Sequence, residues 1–251
     1  MSDTTLILLG AGNSTRFESN VKKQWLYTGE VPLWLHVAEH FDKIANFTQV
    51  IIVSSSEDIT LMKSFAPFTY IEGGSSRQAS LSNALQQVTS EYVLVSDIAR
   101  CCIPQDMIER ILAAKEKGSC IVPTLPVTDT LYLGDSPINR EQVKIIQTPQ
   151  LSVTKTLKKA LQTEQLFTDD SSAVASMGEK VHFVEGSVQA HKLTTIADLQ
   201  KLSCIKAPST KTLTGFGLDI HPFEENKEMF LCGVKIDVDY GFKAHSDGDV
   251  A

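Results

Sequence analysis

Seven cationic side chains, Arg16, Lys22, Lys23, Arg77, Arg100, Arg140 and Lys192, carry the chemistry this sequence suggests, against an acidic net charge of −7. Arg16 and the Lys22-Lys23 pair directly follow a short apolar run, Leu6 to Leu9, and the turn Gly10-Ala11-Gly12-Asn13-Ser14-Thr15. A strand that breaks into glycines lets backbone N–H groups approach phosphate oxygens closely, and the cations add full charge around the same turn. The turn is neither a P-loop, which needs Gly-x-x-x-x-Gly-Lys-Ser/Thr, nor a dinucleotide fingerprint, which wants a small third residue where Thr15 stands. A solvated turn with surface lysines is the bland alternative. A second glycine pair, Gly73-Gly74, precedes Arg77 and Ser80 at the start of a helical pattern, where the helix dipole favours an anion. Asp97 and Arg100 sit three apart at a strand end, either as a structural ion pair or as a metal ligand beside a phosphate clamp. Lys192 by itself reads as a surface lysine. The order and spacing of the whole set point to phosphate handling.

The elements that must hold these residues alternate. Strands are expected at Leu6–Leu9, Val50–Val53, Tyr92–Val95, Cys120–Val122 and His182–Val184. Helices are expected at Pro32–Phe41, Ser75–Val88, Pro104–Lys115, 153–165, 169–177 and from Thr195. Strands that are apolar throughout, separated by helices, indicate an α/β, Rossmann-like, mostly parallel sheet covered on both faces. Ligands in such sheets bind beyond the carboxyl ends of the strands, where Gly10, Gly73-Gly74 and Asp97 all fall. Thr128 to Leu133 alternates polar and apolar residues and leads into a Gly134-Asp135-Ser136-Pro137 turn, as a protruding β-arm would. Such an arm often packs on a partner subunit. Residues 204–212 lose periodicity and read as a linker between units at 1–203 and 213–251.

Composition limits the function classes. With 23 Lys and Arg against 30 Asp and Glu, the chain is not expected to bind nucleic acid by counterion release. Its five cysteines are odd in number and lack Cys-x-x-Cys spacing, so neither a disulfide framework nor a zinc finger follows from them. The first apolar run is too short for a signal peptide, and no run approaches the ~18 residues of a membrane span. A reducing cytoplasm is the expected compartment.

The basic constellation resembles 2-C-methyl-D-erythritol 4-phosphate cytidylyltransferase, over about residues 4–203. The matching residues are Gly10-Ala11-Gly12, Arg16, Lys23-Gln24, Gly73-Gly74, Arg77, Ser80, Asp97-x-Ala99-Arg100, Asp129-Thr130, Arg140, Thr148-Pro149-Gln150, Thr168-Asp169 and Lys192-x-Thr194. The resemblance implies transfer of CMP from CTP to methylerythritol phosphate with loss of pyrophosphate. It implies that Arg16 and Lys23 bind the triphosphate and stabilise the pentavalent centre. The Gly10–Gly12 turn, the loop around Gly73, Gly74, Arg77 and Ser80, and Arg100 belong with the nucleotide. Asp97 lies where Mg²⁺ binds, and Asp129, Thr130, Arg140, Thr148, Lys192 and Thr194 belong with the acceptor. Ser14 stands where the family has a second loop glycine, Cys101 where a proline follows the arginine, and Leu131 where a basic residue follows Asp-Thr. None of these removes a charge assigned to the chemistry. The reaction suits the residues independently: a phosphate monoester is ionised at neutral pH and needs no general base, so positioning and positive charge are what the protein must supply.

Beyond the linker, Asp219-Ile220-His221 puts two side chains on one face of a strand-like segment, where they could share a metal. Together with Ala244-His245-Ser246-Asp247-Gly248-Asp249, this resembles the opening of 2-C-methyl-D-erythritol 2,4-cyclodiphosphate synthase, a trimer with a catalytic zinc. The resemblance implies Zn²⁺ or another divalent cation at Asp219 and His221, a substrate contact at His245-Ser246, and a further histidine ligand past the Asp-Gly-Asp segment. The expectation is therefore a bifunctional enzyme whose 251 residues make the cytidyl product without cyclising it, and a homo-oligomer, dimeric through the arm and trimeric through a complete second domain. Three alternatives remain. A cytidylyltransferase for another polyol phosphate such as ribitol phosphate fits less well, because the two modules belong to one pathway. A dinucleotide oxidoreductase would want an acidic residue closing the second strand, where Val53 is followed by three serines. A nucleotide sensor would bind CTP without releasing pyrophosphate.

Overall fold

The computed structural model describes residues 3–205, 212, 214–218 and 220–243. It divides into two compact units, Met1–Ala207 and Pro208–Ala251. The larger is built on eight strands: β1 (Thr4–Leu9), β2 (Gln49–Ser54), β3 (Thr69–Glu72), β4 (Tyr92–Asp97), β5 (Cys120–Pro126), β6 (Lys144–Ile146), β7 (Gln150–Val153) and β8 (Val181–Glu185). The order is β6-β5-β7-β4-β1-β2-β3, with β8 also paired to β5. The pairs β1–β2, β1–β4, β2–β3 and β5–β8 are parallel. The short β7 runs antiparallel to both β4 and β5, joining the two halves of the sheet.

The apolar strands follow from burial on both faces. All six residues of β1 are buried, and successive side chains alternate between two cores as the pleat requires. Leu6, Leu8, Ile52 and Leu94 enter one core, with Leu33, Trp34, Val37 and Phe41 of α1 (Leu33–Ile44) and with Met107, Ile108 and Ile111. Ile7, Leu9, Ile51, Val53, Val93 and Val95 enter the other, with Leu81, Ala84 and Leu85 and with Ala173 and Val174. The remaining helices are α2 (Ser56–Met62), α3 (Arg77–Leu85), α4 (Gln105–Ala113), α5 (Thr154–Ala160) and α6 (Asp170–Ser176). The segment expected as a last helix is a 3₁₀ turn, Ile196–Lys201, opened by a Thr195/Asp198 capping box.

The expected arm is a hairpin of Leu131–Leu133 with Ser136–Ile138. The smaller unit holds two antiparallel pairs, Phe223–Glu225 with Tyr240–Phe242 and Met229–Leu231 with Val234–Ile236. Cys102 and Cys204 form a disulfide although they stand 102 positions apart in the sequence, because the fold brings the loop after β4 against the end of the larger unit. No sequence spacing announces such a pairing. Among the described residues, no helix is long and apolar enough to cross a membrane.

Candidate active site

A cleft of about 760 Å³ opens at the carboxyl ends of β1, β2, β3 and β4. Four of the seven sequence-selected cations line it: Arg16, Lys23, Arg77 and Lys192. Gly10, Ala11, Gly12, Gly73, Gly74, Ser80 and Asp97 line it too. No histidine or cysteine is among its described lining residues.

Close backbone approach explains two of the glycines. A methyl group at Gly10 would collide with the Ile98 side chain, and one at Gly73 would collide with Ala11, so the first and second glycine loops touch. Ser80 pins the second loop by accepting the Gly74 N–H at 3.0 Å, and Ser76 caps α3 by accepting Ala79 N–H at 3.0 Å. Ser14 takes the left-handed conformation at φ 55°, which a glycine would adopt at less cost.

Buried anchors on either side hold Arg16 and Lys23 in place. Arg16 sits in a single 3₁₀ turn, Thr15–Phe17, next to fully packed Phe17. Lys23 opens the next turn, Lys23–Trp25, whose Trp25 ring packs on Trp34 and Phe65. Asp58 of α2 ties this turn down, accepting from Lys22 Nζ at 2.8 Å, Trp25 Nε1 at 2.8 Å and Gln24 Nε2 at 3.3 Å. Lys22 is therefore a strut for the loop, and it does not line the cleft. Lys23 Nζ reaches across to the Leu193 carbonyl at 3.3 Å. Leu193 N in turn donates to Ala99 O at 2.8 Å, which docks the segment carrying Lys192 onto the loop after β4.

Asp97 is the acidic centre. Lys192 Nζ lies 2.7 Å from its Oδ2, and Arg77 Nε lies 3.7 Å from its Oδ1. Burial opposes its charge, yet Lys192, Arg77 and Arg100 together hold the carboxyl below the ordinary carboxylate value. Burial lowers the pKa of Lys23, and the neighbouring charges of Lys192 and Arg16 lower it further, with Asp97 in partial opposition. A reaction that needs Lys23 as a cation should therefore lose kcat/KM at alkaline pH with a midpoint below the ordinary lysine value of about 10.4. A pH profile flat to that point would contradict it.

Several sequence-selected residues lie elsewhere. Arg100 does not line the cleft; its Nη1 donates to Ala190 O at 2.5 Å, bracing the segment that precedes Lys192. Thr148 is buried away from the cleft, and Thr194 Oγ1 donates to Lys192 O at 3.2 Å. Asp129, Thr130 and Arg140 are exposed on or beside the arm, with Arg140 donating to the Thr128 carbonyl. The His221 ring packs on Phe242. Asp219, His245 and Ser246 lie outside the described residues. Asn13, Thr15, Gln24 and Ser75, which fall inside the sequence motifs, also line the cleft, as do Ser55 and Ser56, to which the sequence assigned no site role. Ser55 and Ser56 could have been found from their position just past β2, the neighbour of β1.

A family model for 2-C-methyl-D-erythritol 4-phosphate cytidylyltransferase matches residues 4–206, and a model for the YgbB family matches residues 212–251. A bifunctional enzyme IspD/IspF of Sulfurovum sp. (strain NBC37-1) is 77% identical over 251 residues, covering 100% of this chain and 67% of the relative. One of Sulfurimonas denitrificans is 53% identical over 247 residues, covering 98% of this chain and 64% of that relative. The chain thus spans about two thirds of the length of these relatives. The solved bifunctional IspDF from Campylobacter jejuni superposes with a TM-score of 0.80 at 46% identity, covering 99% of this chain and 67% of that one. The cytidylyltransferase from Thermus thermophilus gives 0.60 at 27% identity, covering 74% and 90%. The chain belongs to the bifunctional IspD/IspF enzymes, its larger unit falling in the 2-C-methyl-D-erythritol 4-phosphate cytidylyltransferase family.

Proposed function

We propose that the cleft between the two glycine loops is where CMP passes from CTP to 2-C-methyl-D-erythritol 4-phosphate, and that Arg16, Lys23, Asp97 and Lys192 carry the reaction. The convergence of Arg16, Lys23 and Lys192 around Asp97 in one cleft is the observation that supports this reading. The loop of Gly73, Gly74 and Ser80 takes the nucleoside, and the Gly10–Gly12 turn takes the phosphates through its backbone N–H groups. Arg16 and Lys23 neutralise charge that builds on the oxygens around the α-phosphorus as the acceptor phosphate attacks in line. Lys192 holds the acceptor phosphate next to that centre. No group need remove a proton from the attacking oxygen, because the acceptor phosphate is already ionised at neutral pH.

Asp97 fits a magnesium ion. It is a buried, ionised carboxylate whose Oδ1 has Arg77 no nearer than 3.7 Å, and Mg²⁺ is commonly held by one or two carboxylates plus substrate phosphates. Bound there, the ion would supply Lewis-acid neutralisation of the triphosphate.

The exposed arm gives Asp129, Thr130 and Arg140 a role only with a second copy of the chain. Tyr132 and Leu133, 64% and 76% exposed, are apolar surface suited to burial in a homodimer. In the full-length bifunctional protein, Asp219 and His221 would hold zinc or another divalent cation for cyclisation with release of CMP, and His245 and Ser246 would contact its substrate. The cytoplasm, with its CTP pool, is the fitting compartment.

The deciding assay is pyrophosphate release from CTP and Mg²⁺ with methylerythritol phosphate or ribitol phosphate. Release with the first acceptor and not the second supports the reading; CTP binding without release would make the cleft a sensor.

A further inference from the structure

Asp170, the first residue of α6, does not line the cleft, yet it is among the most buried charged groups of the chain. Its Oδ1 accepts from Arg77 Nη1 at 2.7 Å, while Arg77 Nε faces Asp97 at 3.7 Å. One guanidinium is therefore divided between two carboxylates, one in the cleft and one behind it. The contact with Asp170 is a single one, since Arg77 Nη2 and Asp170 Oδ2 are both buried without hydrogen-bond partners. The placement is built in from β7. Gln150 Nε2 donates to Asp169 Oδ2 at 3.0 Å and Gln150 Oε1 accepts Ser171 N–H at 3.0 Å, fixing the first turn of α6 on either side of Asp170. This gives Gln150 and Asp169, one from each of two sequence motifs, a shared role: they set the start of α6.

We propose that Asp170 is a positioning residue that draws the Arg77 guanidinium back from Asp97 and so leaves an Asp97 oxygen available to a divalent cation. Charge arithmetic requires the coupling. Asp97 already has Lys192 at 2.7 Å. If Arg77 closed on it as well, both oxygens would carry a protein cation, and a metal ion would have to displace one of them. With Asp170 in place, Arg77 Nη1 is committed to Asp170 at 2.7 Å and its Nε stays 3.7 Å from Asp97. The inference rests on the reading of Asp97 as the metal-binding carboxylate.

The test is Mn²⁺ binding to the protein–CTP complex, followed by electron paramagnetic resonance without acceptor, so that turnover plays no part. Asp170→Asn keeps the shape and removes the charge. It should weaken Mn²⁺ about tenfold while CTP affinity without metal stays within about threefold. In an Arg77→Gln background the same change should have no effect on Mn²⁺. A purely structural role for Asp170 would leave Mn²⁺ affinity unchanged in the single variant, or would weaken it equally in both backgrounds, and either result overturns the proposal. Should Asp170→Asn not fold, Arg77→Gln alone decides: Mn²⁺ should bind at least threefold tighter, and an unaltered affinity overturns the proposal. Asp97→Asn separates the two readings. If it leaves Mn²⁺ binding intact, the metal assignment falls and the positioning role with it. If it abolishes binding while Asp170→Asn changes nothing, only the positioning role falls.

Discussion

Replacing Lys23 with alanine should lower kcat about a thousandfold, a loss of about 4 kcal/mol of transition-state stabilisation. Lys23 is held in the cleft by its contact with Leu193 O, and the Asp58 network fixes the turn from which it projects. Its charge is partly desolvated, so its interaction with the developing negative charge is little screened. Because Trp25 and Gln24 anchor the turn independently of the Lys23 side chain, the variant should melt within a few degrees of the parent. Arg16→Ala should behave in the same direction. Steady-state kinetics beside a thermal melt checks both. A Lys23→Ala protein with near-parental turnover would remove the main support for charge stabilisation at this site.

Lys192→Ala should lower kcat/KM for methylerythritol phosphate about a hundredfold and should also alter the acid limb of the profile. Lys192 touches Asp97 at 2.7 Å and is the largest of the charges holding that carboxyl down. The sign follows from that. The useful form of Asp97 is ionised, its folded pKa is depressed, and activity is lost only as pH falls through that depressed value. Without Lys192 the pKa rises, so the acid limb should move to higher pH. Lower activity with an unmoved acid limb would mean that Lys192 serves the acceptor alone and does not bias Asp97.

Much of this site was legible in the sequence because its signals are local. The β1 turn with Arg16 and Lys23 and Asp97 closing β4 each follow a short apolar run, and Gly73-Gly74 is a glycine pair directly before the helical pattern of α3. A parallel sheet gathers those run ends at one rim. What was not legible depends on tertiary pairing. Gln150–Val153 is too short, and too interrupted by Ser152, to announce an antiparallel strand between β4 and β5. Thr69–Glu72 carries little apolar signal, because its burial is only partial. Lys22 and Arg100 belong by type and position to a phosphate site, yet Asp58 and the Ala190 carbonyl hold them as struts. A sequence gives the charge of a residue, and only the fold gives its partner. The arm residues Asp129, Thr130 and Arg140 carry this further, since they are exposed and are not among the described residues lining the cleft.

In the reaction proposed for this cleft, the acceptor phosphate attacks the α-phosphorus of CTP directly, with the protein supplying position and positive charge and no nucleophile of its own. Turnover of CTP chirally labelled with sulfur at the α-phosphorus tests this directly, because one in-line displacement inverts that centre and two restore it. The cytidyl product should show inversion. Retention would require a covalent nucleotidyl-enzyme, with Lys23, Lys192 or one of the cleft serines as its nucleophile, and would contradict the account.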